Sequence, residues 1–261
     1  MPRAHFVAAG FNTAAGAGSA VATPMAGDTF VVPNFTNGNG YLDNVWVNGA
    51  TNDWASIKSP KMQDANQGIR LITTANTGKS LLPWGTNQPM YSGDTPVVTL
   101  DETGAGTGAI AVIYSFDDLP GANPRLAMWA DIQPRIRNIM GCEVDLGAIA
   151  AIGQYSAGVA INATFDNFKA DTDYALLGYE TAASVLAIAV QGQDTGNLKV
   201  GGPGVADPLV TKSWFIEMAE RTGRPSIPII AANNKGGTLV YQTDSSAHAA
   251  QHVGLILAEL G

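Results

Sequence analysis

The residues of this chain that chemistry could recruit are few and far apart. The run TANTGKS at 74–80 ends as a phosphate-binding loop ends, in Gly-Lys-Ser. Such a loop works by turning glycine backbone N–H groups toward a phosphate between a strand and a helix. Its first glycine position is occupied by Thr73, and Pro83 in the following LLPWG blocks a helix, so nucleotide binding is not expected. TGAGTG at 103–108 leads into an apolar strand rather than a helix and reads as a hairpin tip. The histidines are His5, His248 and His252. The last two sit at a loop and a strand start, where a surface role is expected over a zinc site. Asp101-Glu102 and Asp117-Asp118 have the chemistry of calcium ligands but read as solvated acidic loops. No Gly-x-Ser-x-Gly elbow, general acid–base pair or cysteine dyad occurs. The expectation is a protein with no catalytic residue, no metal and no cofactor, which acts through its surfaces.

The bulk numbers agree with a surface role. The 261 residues are 46% hydrophobic and only 14% charged, with 30 glycines and 14 prolines. A surface that is polar but sparsely charged suits a molecule packed among neighbours. Net charge is −8, and the densest basic run is Arg135 to Arg137. Direct nucleic-acid binding needs concentrated Lys and Arg to displace counterions, so none is expected. The single cysteine, Cys142, reads as a small buried apolar side chain. The first residues, MPRAHFVAAGFNTAAGAGSAVATPM, lack the unbroken apolar run of a signal peptide and read as a flexible arm over residues 1–16. No stretch reaches the ~18 uninterrupted apolar residues of a membrane helix.

These surfaces must be positioned by strands. Short apolar runs such as DNVWVNG (43–49), DTPVVTL (94–100), GAIAVIYSF (108–116), YALLGY (174–179) and HVGLILAEL (252–260) alternate with Gly, Asn and Asp. That is the pattern of an all-β sandwich or barrel. Two helices are expected among them. ANPRLAMWADIQPRIRNIMG offers Asn123 as N-cap and Gly141 as stop, with Pro134 as a kink; DPLVTKSWFIEMAERTGRP offers Asp207 as cap and Gly223 and Pro225 as stop.

The chain also reads as a sequence written twice. AGSAVATPM (17–25) matches AGVAINATF (157–165), and VNG (47–49) matches VQG (190–192). WASIKSP (54–60) runs beside GNLKVGGP (196–203), and LLPWGTN (81–87) beside SIPIIAANN (226–234). GDTPVVTL (93–100) matches GGTLVYQT (236–243), and VIYSFDDL (112–119) matches VGLILAEL (253–260). All keep one order at a nearly constant offset, the mark of a tandem repeat. The expected organisation is an arm at 1–16, a first eight-stranded jelly roll at 17–120, a connecting helix at 121–142 and a second jelly roll at 143–261 with one inserted helix. The glycine-rich KVGGPG then reads as a corner after a strand.

A chain of this size with two such rolls resembles the major capsid proteins of tailless, often membrane-containing icosahedral bacteriophages, the double jelly-roll group. DTGNLKVGGPG (194–204), WFIEMAERTG (214–223) and SFDDLPG (115–121) also resemble segments of phage structural proteins. The resemblance implies a structural protein of the virion, assembled in the host cytoplasm, with three copies forming a pseudo-hexagonal tile. Its partners would be its own copies, neighbouring capsomers, other capsid proteins and, where one exists, an internal lipid membrane. Phe6 and Phe11 of the arm would then be anchors at a neighbour or at lipid. The alternatives are a minor capsid or spike component, or a two-domain cupin-like or carbohydrate-binding β protein. A cupin carries paired histidines on its strands, and no His-x-His occurs in either copy.

Overall fold

The fold was analysed in a computed structural model that describes residues 4–14, 18–36, 38–48, 52–62, 68–72, 79–80, 87–102, 106–151, 153–181, 185, 187–204, 211–243, 247 and 249–261. The chain is all-β, and its described residues form four antiparallel sheets.

The first half contributes two sheets. One joins β1 (Ala4–Ala14), β3 (Thr23–Pro24), β4 (Gly40–Asn48), β7 (Lys79–Ser80), β8 (Gln88–Met90) and β10 (Gly106–Phe116). Its order is β3-β1-β10-β4-β7, with β8 also beside β4. The other joins β2 (Gly18–Val21), β5 (Asn52–Lys58), β6 (Ile69–Ile72) and β9 (Val97–Glu102) in the order β2-β9-β5-β6. Between them lies a core that takes Ala8 from β1, Leu42 and Val45 from β4, Ile57 from β5, Leu100 from β9, and Ile110, Val112, Tyr114 and Phe116 from β10.

The second half is wired in the same way. β11 (Leu126–Ala127), β12 (Ile136–Leu146), β14 (Asp173–Glu180), β17 (Ile227–Ala231) and β19 (Gln251–Leu260) form one sheet in the order β11-β17-β14-β19-β12. β13 (Val159–Ala160), β15 (Ala187–Gln191), β16 (Val200–Pro203) and β18 (Leu239–Thr243) form the other, ordered β13-β18-β15-β16. When β7 and β8 are taken as one interrupted strand and the two-residue strands β3 and β11 are left out, each half runs first–eighth–third–sixth in one sheet and second–seventh–fourth–fifth in the other.

Strand β10 shows why its sequence lacks a clean alternation. Ile110, Val112, Tyr114 and Phe116 face the first core, while Ile113 on the opposite face joins the larger second core. A strand buried on both faces reads as a continuous apolar run.

Several expectations change. Residues 4–14 are not a flexible arm: they form β1, paired with β10 along its whole length. Their small side chains reflect close cover on both faces, with Ala4 and Ala8 in the first core and Val7 and Ala9 in the second. The connecting helix over 121–142 is a single turn, α1 (Trp129–Ile132), followed by a 3-10 turn at Gln133–Arg135 and then β12. Pro134 breaks the helix. Beyond it Cys142, Val144 and Leu146 alternate inward opposite β19, so period two overrides the apparent helical spacing.

The second helix exists as α2 (Trp214–Thr222), closed by Gly223 in a left-handed conformation at φ 67°. Its expected cap at Asp207 lies outside the described residues. KVGGPG is not a corner, because Val200–Pro203 is strand β16. Gly202 is required there: a side chain would run into Trp214 and Tyr179.

The repeat pairs strands of like position at three places, β2 with β13, β9 with β18 and β10 with β19, while the LLPWGTN (81–87) match lies almost wholly outside the described residues. The other two matches join strands of unlike position, β4 to β15 and β5 to β16. Among the described residues no helix is long and apolar enough to cross a membrane.

Candidate assembly surfaces

The two halves meet through unlike faces. The side of the β1–β10–β4 sheet turned away from its own core is covered by β16 and α2. Val7, Ala9, Met25, Trp46 and Ile113 of the first half join the core of the second. Trp46 meets Trp214 edge to face, ring centroids 5.4 Å apart, and His5 meets Phe215 at 6.0 Å. The free edge of β1 is used too, since the Val7 amide donates to the Lys199 carbonyl at 2.9 Å.

Two charged clusters fix this seam. In the first, Asp28 pairs with Lys199 at 2.7 Å, accepts the Tyr155 hydroxyl at 2.6 Å and accepts the Ala9 amide at 2.8 Å. The Lys199 ammonium lies 3.9 Å from the Tyr155 ring centroid. Burial, with the Asp28 charge behind it, pushes the Tyr155 hydroxyl well above its usual pKa. In the second, Arg224 pairs with Asp43, donates to Asn87 at 3.0 Å and lies over the Tyr41 ring at 4.1 Å.

Asp43 sits at a bulge in β4, where the pairing with β10 shifts register. The bulge turns its carboxylate to the seam. Burial raises Asp43 to about 6 against the opposing pull of Arg224, and burial with the Arg224 charge lowers His5 to about 4. Both ring nitrogens of His5 and the Trp46 indole nitrogen are buried there without a protein hydrogen-bond partner.

The corresponding face of the second half, formed by β12, β19 and β14, is open over β12 and the start of β19, while the backbone of Thr211 and Lys212 covers it at Gly178 of β14. It holds a cavity of about 660 Å³ bordered by Gly141, Glu143, Phe165, Glu180, His252 and Gly254. Ile139 and Phe165 are more than half exposed, at 52% and 57%. Three carboxylates stand on it, from Glu143, Asp145 and Glu180. Glu143 and Asp145 alternate outward from β12, and Asp145 is opposite His252 in the register with β19. Among these groups Lys212 neutralises Glu180.

The first half has an open face of the other kind, the outer side of the β2–β9–β5–β6 sheet. It presents Val97, 37% exposed, with Val21 at the sheet edge 63% exposed. Lys58 is opposite Val97, and the Arg70 guanidinium is 4.0 Å from the Trp54 ring centroid. One open face is therefore acidic, and the other carries Lys58 and Arg70 together with Asp101, which stands opposite Trp54.

Phe6 and Phe11 do not form a free anchor, since both lie in β1. Phe11 packs on the second-half core beside Gly153; the Phe6 side chain lies outside the description. Cys142 is buried as expected, its thiol donating to the Ile161 carbonyl and pushed up to about 11 by burial. His248 lies outside the described residues. Of the charged residues that matter, Asp28, Asp43 and Lys199 are single charges in apolar or glycine-rich runs, whereas Arg224 follows Glu217, Glu220 and Arg221. That isolation is the one sequence signal that could have marked the first three.

No family model matches the chain, and no curated protein matches it. Among solved structures it is similar to the major capsid protein P2 from bacteriophage PM2, at 11% identity over 99% of this chain and 98% of that one, with a TM-score of 0.22. It is also similar to the STIV MCP, at 6% identity over 100% of this chain and 88% of that one, again with a TM-score of 0.22. Similarity at that level carries no weight for architecture or role.

Proposed function

We propose that this chain is a major capsid protein, that each half is a jelly roll, and that three copies close into a ring of six rolls that tiles a virion shell. The observation that supports this most strongly is the seam. It joins the first–eighth–third–sixth sheet of one half to the β16 side of the other, a contact between unlike surfaces. Head-to-tail contacts of this kind leave one unlike face open at each end, and repeating them gives a closed ring or a filament.

The open ends complement each other. The β12–β19–β14 face is the positional equivalent of the covered β1–β10–β4 face, and the β5–β6 side is the equivalent of the β15–β16 side. In the ring the acidic face of one copy seats on the Lys58 and Arg70 side of the next. The partners are then further copies of the chain and, in the shell, neighbouring tiles; the location is the virion. No residue has a catalytic role. The cupin-like alternative fits less well, because a cupin ligates its metal inside the sandwich whereas the His252 side chain is 72% exposed on an outer face.

Class averages from negative-stain microscopy of the purified full chain test this proposal. Compact plates with a six-lobed outline are expected, and isolated two-lobed particles at high concentration would remove it.

A further inference from the structure

Glu143, Asp145 and His252 occupy adjacent strands and aim three donor atoms at one point. Glu143 and Asp145 are two residues apart on β12, so both side chains leave the same face, and His252 is the register partner of Asp145 on β19. One potential ligand atom from each lies within 4.8 Å of the other two. His252 Nδ1 is 3.0 Å from Glu143 Oε1 and closer still to Asp145 Oδ1. Ligands roughly 2.1 Å from a zinc ion, at angles between square and tetrahedral, stand roughly 3.0–3.4 Å apart. The His252–Glu143 spacing falls in that range, the His252–Asp145 contact is shorter, and the Glu143 and Asp145 oxygens lie within 4.8 Å of each other, so small side-chain rotations bring all three onto one ion.

The surroundings favour a cation as well. Glu143 and His252 border the cavity, so an ion there can be reached from solvent. Two carboxylates share one imidazole, and Lys212, on the same face, is engaged by Glu180. We infer that these three residues form a binding site for a divalent transition-metal ion of the zinc class. The imidazole selects against calcium and magnesium, which prefer all-oxygen shells. Three protein ligands leave a coordination position for water or for a donor from an adjoining molecule. All three ligands come from one chain, so an unassembled copy can bind the ion; in the proposed ring the same face meets the next copy.

Calorimetric titration of the full-length untagged chain with zinc chloride tests the site. The cobalt(II) complex provides a second, spectroscopic readout in its visible absorption. One ion per chain with a micromolar or tighter Kd is expected. His252→Ala and Asp145→Asn should each weaken binding at least tenfold and bleach the cobalt band. All three ligands are exposed, so these variants should retain the fold. The inference fails if zinc gives no saturable heat, if His252→Ala binds as well as the unaltered chain, or if calcium at equal concentration displaces zinc. Loss of the ring with retention of zinc would count against the capsid reading alone.

Discussion

Trp46 and Trp214, separated in sequence by most of the chain, meet edge to face at 5.4 Å across the seam between the two halves. One comes from the outer face of a first-half strand and the other from the first turn of α2, fully buried. The Trp214 indole N–H also donates to the Gly201 carbonyl at 3.0 Å, so a single ring joins β4, α2 and β16. Trp214→Ala should cost about 3–5 kcal/mol, the range for removing a large buried aromatic. Urea unfolding followed by circular dichroism checks it, and Trp214→Phe should recover part of the loss.

Gly202 supports the same contact from below. Gly202→Val would place its side chain against Trp214 and Tyr179. An overpacking loss of about 1–3 kcal/mol is expected, read as a shift in the urea midpoint.

The buried Arg224–Asp43 pair predicts a strongly non-additive cycle. Asp43→Asn or Arg224→Met alone leaves one buried group uncompensated and should cost about 3–5 kcal/mol. The double variant should be less destabilised than the sum of the singles, because neither charge then remains in the seam.

Acidification should act on this cluster through two opposed groups flanking Arg224. His5 is lowered from 6.5 to about 4, so its contribution is present above pH 6.5 and is lost as pH falls toward 4. Asp43 is raised from 3.8 to about 6, so its contribution is present below pH 3.8 and is lost as pH rises through 6. In the unaltered protein the two largely offset. Relative to it, His5→Gln should gain stability between pH 6.5 and 4, and Asp43→Asn should lose it, each by about 3 kcal/mol. Urea midpoints measured across that window read both slopes, and parallel slopes in all three proteins would contradict the assignment.

The all-β class and most central strands were legible in the sequence, because β4, β9, β10, β14 and β19 carry β-branched and aromatic runs bounded by turn residues. β1 was hidden by its small residues: Ala8, Ala9 and Gly10 resemble a loose arm until cover on both faces is known. β12 was hidden by Pro124 and Pro134, which mimic helix punctuation in front of a strand. The His252 cluster could not be read at all. The alternation of Glu143 and Asp145 was visible, but their meeting with His252 depends on the register of β12 with β19, a pairing across most of the second half.

The mass of the protein in solution tests the central claim most directly. Native mass spectrometry of the full chain should give three times the 27.0 kDa chain mass. Arg70→Glu should shift that population toward monomer, and adding Glu143→Lys on the facing surface should restore it in part. A monomer at every concentration, or an assembly indifferent to Arg70, would contradict the ring.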